Sequence, residues 1–242
     1  MRIYWARLDG LEDVYDEKVN KLHQSRADKL QNYKMPADRI RCLGAGLLLE
    51  KGLVDYLKSE ASEKADSKSL KEEDVNITLP LDSEGRYMIE YAYGPQGKPY
   101  LQAYPNIHFS LSHSGNIAVL AISDREVGID VQENRGYIER IAKRFYHEEE
   151  LKLIENLDSV SEREHLFYQI WTTKEAYIKY TGQGMRQDMR SFYVSPEWEQ
   201  IMMEKNVAAF YKNISLPEEG YFCSLVFDKS LQKISKNIEI HL

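Results

Sequence analysis

Val127-Gly128-Ile129-Asp130-Val131 and Trp171-Thr172-Thr173-Lys174-Glu175-Ala176-Tyr177-Ile178-Lys179 are the stretches whose reading decides the fold. The first is an apolar run that reads as a strand emerging at a carboxylate. The second reads as a helix. Trp171, Glu175, Ile178 and Lys179 follow i, i+4, i+7, i+8 spacing, so one stripe carries an acid, a base and their apolar anchors. A strand-end carboxylate facing a helix-borne carboxylate is a cradle for a hard divalent cation, and so for a phosphorylated substrate. Taken singly, each has a blander reading: Asp130 as a cap or turn former, and Glu175/Lys179 as a surface i, i+4 pair.

Upstream of the helix, periodicity predicts two shorter helices, Tyr137 to Phe145 and Glu148 to about Asn156. Thr181-Gly182-Gln183-Gly184 stops the long one with residues that tolerate left-handed geometry. Beyond it, Phe192–Val194, Ala208–Tyr211 and Tyr221–Phe227 alternate like an antiparallel sheet. Before Asp130, strands are expected at Ile107–Leu111 and Ile117–Ile122, separated by Ser112-His113-Ser114-Gly115-Asn116. That polar interruption suits phosphate or ribose contacts, and equally a hairpin turn with a structural histidine. Gln132 lies two residues beyond Asp130, on the same side if the chain stays extended. As a neutral amide it is a weaker magnesium ligand than a carboxylate.

The N-terminal part opens with a strand, Ile3–Leu8. Residues 12–33 carry apolar positions at helical spacing, with Leu22, Arg26 and Leu30 on one face. Pro36 fits the first turn of a helix from Ala37 to about Lys58. Gly44 and Gly46 lower its propensity by about 1 kcal/mol each, tolerable if a neighbouring element or ligand approaches closely there. Ser59 to Asp74 reads as an exposed loop or frayed helix. Tyr87, Ile89 and Tyr91 suggest a strand before the turn Gly94-Pro95-Gln96-Gly97-Lys98-Pro99.

The 242 residues suffice for one large domain or two smaller ones. A 43% hydrophobic and 29% charged composition is that of a globular protein, and a net charge of -7 argues against a nucleic-acid partner. Cys42 and Cys223 sit in apolar surroundings, which suggests buried thiols rather than a disulfide framework. The opening residues resemble no signal peptide, and no apolar run reaches the roughly 18 residues of a spanning helix. The expectation is a cytoplasmic protein with no membrane partner. A serine-hydrolase elbow, zinc-spaced Cys/His clusters, a P-loop and a dinucleotide fingerprint are all missing from the sequence.

Three segments in order, Phe109-Ser110-Leu111-Ser112-His113-Ser114-Gly115, then Val127–Val131, then Trp171–Lys179 with its Thr181–Met185 tail, resemble the Sfp-type 4'-phosphopantetheinyl transferases. The resemblance implies an α+β, pseudo-dimeric fold of two similar halves, residues 1–123 and 124–242, with coenzyme A in the cleft between them. It implies transfer of the phosphopantetheine arm to a serine of an apo acyl, peptidyl or aryl carrier protein, releasing adenosine 3',5'-bisphosphate. The carrier would belong to fatty-acid, polyketide or nonribosomal-peptide biosynthesis, and the enzyme would be a monomer. By resemblance the magnesium ligands fall on Asp130 and Glu175, with Gln132 at a third position commonly glutamate. Catalysis would rest on Glu175, Lys179 and Asp130, with Glu175 as general base acting through a water. Coenzyme A contacts fall on Lys98, Ser112, His113, Lys174 and Lys179, with Arg39 or Arg41 near an early arginine. Glu150 matches a further acidic position. The competing classes are a catalytically silent coenzyme A or carrier-binding module, and a magnesium-dependent phosphotransferase using ATP, which lacks a recognisable triphosphate loop.

Overall fold

Strict alternation of apolar side chains on β1 (Arg2–Arg7) and β5 (Ile117–Ser123) sets the layering. In the computed structural model, which describes residues 1–66, 81, 83, 88–229, 234 and 237–242, these strands are buried on both faces. Tyr4, Ala6, Ala118, Leu120 and Ile122 point into one core, while Ile3, Trp5, Ile117, Val119 and Ala121 point into another. A strand covered on both sides must be apolar at every position, which is why Ile117–Ile122 shows no polar alternation.

The first core lies under a long helix, α3, and the second faces another sheet. Two short helices, α1 (Tyr15–Val19) and α2 (Gln24–Leu30), precede α3 (Pro36–Asp66), which packs on the first sheet. That sheet has the order β11-β1-β5-β4, with β4 at His108–Ser114 and β11 at Asn237–Glu239. A small hairpin, β2 (Tyr91–Tyr93) with β3 (Pro99–Leu101), stands beside it. β6 (Gly128–Glu133) opens the second sheet. Then come α4 (Glu139–Phe145), α5 (Glu148–Glu155) and α6 (Val160–Thr181), followed by β7 (Tyr193–Ser195), β8 (Gln200–Met203), β9 (Asn206–Asn213) and β10 (Tyr221–Phe227). The second sheet runs β6-β10-β9-β8-β7 and is antiparallel throughout. Ile129, Val131, Cys223 and Leu225 meet the first sheet, and α6 covers the opposite face. The layers are helix, sheet, sheet, helix, a mixed α+β architecture.

Close packing explains the helix glycines. A Cβ at Gly44 would overlap the Leu8 side chain, and one at Gly52 would come within 2.6 Å of Leu120. α3 thus lies nearer the sheet than a side chain at these positions would allow.

Several sequence expectations need correction. Residues 12–33 form two short helices, with Leu22 between them, because α1 and α2 each turn to cover α3. α3 continues to Asp66, so the stretch read from Ser59 as an exposed loop or frayed helix begins as helix; residues 67–74 of that stretch, and Tyr87, lie outside the described residues. Asp130 is the third residue of a six-residue strand rather than its end, and Ser112, His113 and Ser114 belong to β4, leaving only Gly115-Asn116 as the turn. β8 and β11 were not anticipated. β11 pairs in parallel with β1, Ile3 opposite Asn237, so the last strand joins the first sheet. Among the described residues no helix is long and apolar enough to cross a membrane.

Candidate active site

Period-2 geometry places Asp130. Because Ile129 and Val131 face the sheet–sheet core, Gly128, Asp130 and Gln132 face α6. Gly128 makes that approach possible: a Cβ there would overlap the Ala176 carbonyl and stand 2.6 Å from Tyr180 N. The neighbouring edge strand β4 is joined to β6 by alternate serines. Ser110 Oγ accepts from Ile129 N at 3.0 Å, Ser114 Oγ accepts from Glu133 N at 3.0 Å, and Ser112 Oγ donates to Asp130 Oδ1 at 2.6 Å. The apolar-polar alternation of Phe109-Ser110-Leu111-Ser112-His113-Ser114 is therefore the seam between the two sheets.

α6 supplies the second carboxylate. Ser159 caps its start, accepting from Glu162 N, and Gly182 ends it at φ 67°, in left-handed geometry that glycine takes without strain. Lys179 Nζ donates to Asp130 Oδ1 at 2.7 Å and to Leu111 O at 3.4 Å, bridging α6 to both sheets. Gln132 Nε2 donates to Asp130 Oδ2 at 3.0 Å. The Glu175 carboxyl is pushed up to about 7, first by burial and then by the charge of Asp130, with Lys179 opposing. Two carboxylates bordering one cleft, with oxygens of the hard type, fit a divalent cation. Among the described residues no cluster of three or more His, Cys, Asp and Glu could hold a metal. A cation here would therefore rest on two carboxylates with neutral oxygens completing its shell.

These groups line one side of a cleft of about 500 Å³ that runs between α6, β4, α3 and the β2–β3 hairpin. Ser112, His113, Lys98, Gln132, Asp130, Glu175 and Lys179 all border it. Lys98 Nζ bonds Glu126 Oε2 at 2.5 Å and the Tyr180 carbonyl at 3.1 Å, fastening the hairpin turn to the end of α6. His113 is pushed down to about 4 by burial, then by Lys179 and Arg41, so it is a neutral hydrogen-bonding group at pH 7.

Other expected site residues lie elsewhere. Lys174 does not border the cleft: it is fully buried on the opposite flank of α6, paired with Glu150 at 2.8 Å. A phosphate in the cleft cannot reach it, since adjacent helix positions point about 100° apart. Glu150 caps α5 instead of facing the cleft; it accepts from His147 N at 2.8 Å and Val194 N at 2.7 Å. Arg39 is exposed, donating to the Tyr33 carbonyl at 2.8 Å. Arg41 pairs with Asp38 at 2.5 Å yet is close enough to His113 to influence its charge.

The sequence reading missed the far end of the cleft, where Arg26, Lys29, Tyr33 and Tyr91 form the wall. The signal was available: Arg26 stands one turn before the buried Leu30 on α2, an odd place for a cation unless it meets an anion. Behind it Glu50 is 4% exposed, its carboxyl pushed up to about 7, chiefly by burial. A carboxyl raised in the fold weakens stability as pH climbs from about 4.5 to 7, with the full penalty above that. Glu50→Gln is therefore expected to stabilise the protein by about 1–3 kcal/mol at pH 8 and little at pH 4.5. Urea melts of both proteins at the two pH values check this; equal gains at both would sink it.

A family model described as the 4'-phosphopantetheinyl transferase superfamily matches residues 126–225. Curated 4'-phosphopantetheinyl transferases are similar over about half of the chain. That of Aneurinibacillus migulanus, gsp, is 36% identical over 130 residues, 53% of this chain and 54% of its own. Sfp of Bacillus subtilis is 33% identical over 106 residues, 44% of this chain and 47% of its own. This chain thus spans about half the length of these curated relatives. A solved holo-[acyl-carrier-protein] synthase of Thermotoga maritima matches 42% of this chain and 61% of its own at 23% identity, with a TM-score of 0.34, too slight a likeness to argue from. A fuller match is ffp of Bacillus subtilis, 30% identical over 155 residues, 59% of this chain and 67% of its own. With two thirds of that relative covered at such identity, and the family model running from β6 through α6 into β10, the chain belongs to the 4'-phosphopantetheinyl transferase superfamily.

Proposed function

We propose that this chain is an Sfp-type 4'-phosphopantetheinyl transferase that takes the arm from coenzyme A and places it on a serine of an apo acyl, peptidyl or aryl carrier protein. The observation that carries the reading is the convergence of Asp130, Glu175 and Lys179 on one wall of a cleft whose other end is basic. The two sheets and their covering helices are read as two similar halves, so one chain supplies both walls and works as a monomer. A cytoplasmic location, where coenzyme A and carriers meet, goes with this reading.

Asp130 and Glu175 would hold magnesium, with Gln132 or a water as third donor; when bound, the ion neutralises pyrophosphate charge and favours in-line displacement. Asp130 is kept in place by Ser112, Lys179 and Gln132. The acceptor serine Oγ attacks the phosphorus nearest the pantetheine. A new phosphoester bond forms, the phosphoanhydride bond breaks, and adenosine 3',5'-bisphosphate leaves. Glu175 accepts the serine proton through a water, and Lys179 stabilises charge on the departing oxygen. Lys98, Ser112 and His113 bind the coenzyme's phosphates and adenosine, with Arg26 and Lys29 at the basic end.

The test is mass spectrometry of apo carriers incubated with the protein, coenzyme A and magnesium. A gain of about 340 Da, the arm expected from attack at that phosphorus, should map to one serine, and the active species should sediment as one chain. No adduct on carriers of any of the three kinds would remove the proposal.

Binding contacts should separate by charge. Lys98→Ala is expected to weaken coenzyme A binding roughly ten- to a hundredfold, as for a charged hydrogen bond. His113→Ala, losing a neutral contact, should cost only about three- to tenfold. Calorimetry decides, and unchanged affinity in both folded variants would return Ser112-His113 to a purely structural role at the seam.

A further inference from the structure

We propose that Glu50, which takes no part in the chemistry above, is a positioning residue for the basic end of the cleft: it anchors the start of α2 and, from behind Arg26, limits how tightly that end holds a phosphate. The inference rests on the proposed function only in taking an adenosine phosphate as the ligand.

The anchor is a single bond with wide reach. Glu50 Oε1 accepts from His23 N at 3.1 Å. His23 stands at the N-cap of α2, so α3 supplies the acceptor for the amide at that helix start. The carbonyl of the same residue accepts from Arg26 N at 2.9 Å and Ala27 N at 3.1 Å. Anchoring that residue therefore steadies the turn carrying Arg26, and Lys29 one turn on.

Arg26 lies across α3 at Gly46, one turn before Glu50: a Cβ at Gly46 would stand 3.4 Å from its Nε. The residue is 8% exposed, it borders the cleft, and its buried Nε has no hydrogen-bond partner, like the Tyr91 hydroxyl nearby. An unpartnered buried donor on a cleft wall points to a ligand acceptor. The groups facing Glu50 are Arg26 from α2, the His23 amide just before that helix, and Tyr91 from β2. Its carboxyl, pushed up to about 7, gains charge across the neutral range, where that charge opposes an anion at Arg26. The acceptor oxygen and the charge thus act in opposite directions on binding.

Two substitutions part them. Glu50→Gln keeps an acceptor and removes the charge; Glu50→Leu removes both. The readout is the calorimetric Kd of adenosine 3',5'-bisphosphate at pH 6 and pH 8, each variant compared with the unmodified protein so that the ligand's own titration cancels. Glu50→Gln should bind about three- to tenfold tighter at pH 8 and about equally at pH 6. Glu50→Leu should bind at least about fivefold more weakly than Glu50→Gln at both pH values, through loss of the anchor. A residue needed only for folding would weaken binding in both variants, without a pH difference. Glu50→Gln binding no tighter at pH 8, or Glu50→Leu matching it, overturns the proposal. If Glu50→Leu does not fold, the Glu50→Gln result at pH 8 decides alone. Carrier modification by the unmodified protein is measured separately, so loss of the transferase reading would not be mistaken for failure here.

Discussion

Asp130→Ala and Glu175→Ala are each expected to lower carrier modification by at least about 10²–10³-fold, the scale set by removing a principal electrostatic contact from a reacting centre. Each substitution takes away one of the two carboxylates that converge on the cleft. Asp130→Ala does more: it also leaves Ser112 Oγ, Lys179 Nζ and Gln132 Nε2 without their shared acceptor. Lys179→Ala should lower turnover less than either, because the carboxylates remain. Gln132→Ala should be milder still, whereas Gln132→Glu should shift the magnesium titration of carrier modification to lower concentration by adding a charged oxygen. The measurement is that titration for all five variants, with circular dichroism to establish folding. Folded Asp130→Ala and Glu175→Ala proteins with near-normal turnover at limiting magnesium would remove the mechanism. A Gln132→Glu titration like the unmodified protein's would remove only the claim that residue 132 faces the ion.

The second large effect is on stability, at the buried Glu150–Lys174 pair. Lys174 Nζ spends its three donors on Glu150 Oε2 at 2.8 Å, Met189 O at 2.8 Å and Phe192 O at 2.9 Å, with the Phe192 ring centre 4.3 Å away. Glu150 in turn receives His147 N and Val194 N. Burial works against both charges, raising the Glu150 carboxyl and lowering the Lys174 ammonium, and each partner's charge opposes that. The pair ties α5, α6, β7 and the turn before β7 at one point. Lys174→Met or Glu150→Gln is expected to cost about 3–5 kcal/mol, because the remaining group stays buried without its counter-charge. The double variant should cost clearly less than the sum of the two. Urea melts check this; single losses below about 1 kcal/mol would mean that the pair behaves like a surface bridge. A folded Lys174→Met protein should keep its coenzyme A affinity, in contrast to Lys98→Ala, because Lys174 does not border the cleft.

Much of the site could be read without coordinates because its residues lie on two strongly periodic elements. The apolar run before and after Asp130 identified β6, and the i, i+4, i+7, i+8 stripe from Trp171 identified the face of α6 that carries Glu175 and Lys179. Local spacing fixes which side chains share a face, so the sequence by itself determined that acid and base would stand together on α6. It also determined the α6 stop at Gly182 and the start of α3 at Pro36, since both depend on backbone preferences of single residues. Tertiary packing decided the rest. Lys174 and Glu175 are sequence neighbours, yet α6 lies between a cleft and a core, so one residue is buried in an ion pair and the other borders the site. Ser112 and Ser114 read as part of a polar interruption between two strands, but an adjoining edge strand gave their hydroxyls partners and kept the chain extended. Arg26 reached the cleft only because α2 folds across α3 at Gly46, and β11 found β1 more than two hundred residues away. Contacts of that kind depend on which surfaces meet when the sheets and helices pack, information that no local pattern of side chains contains.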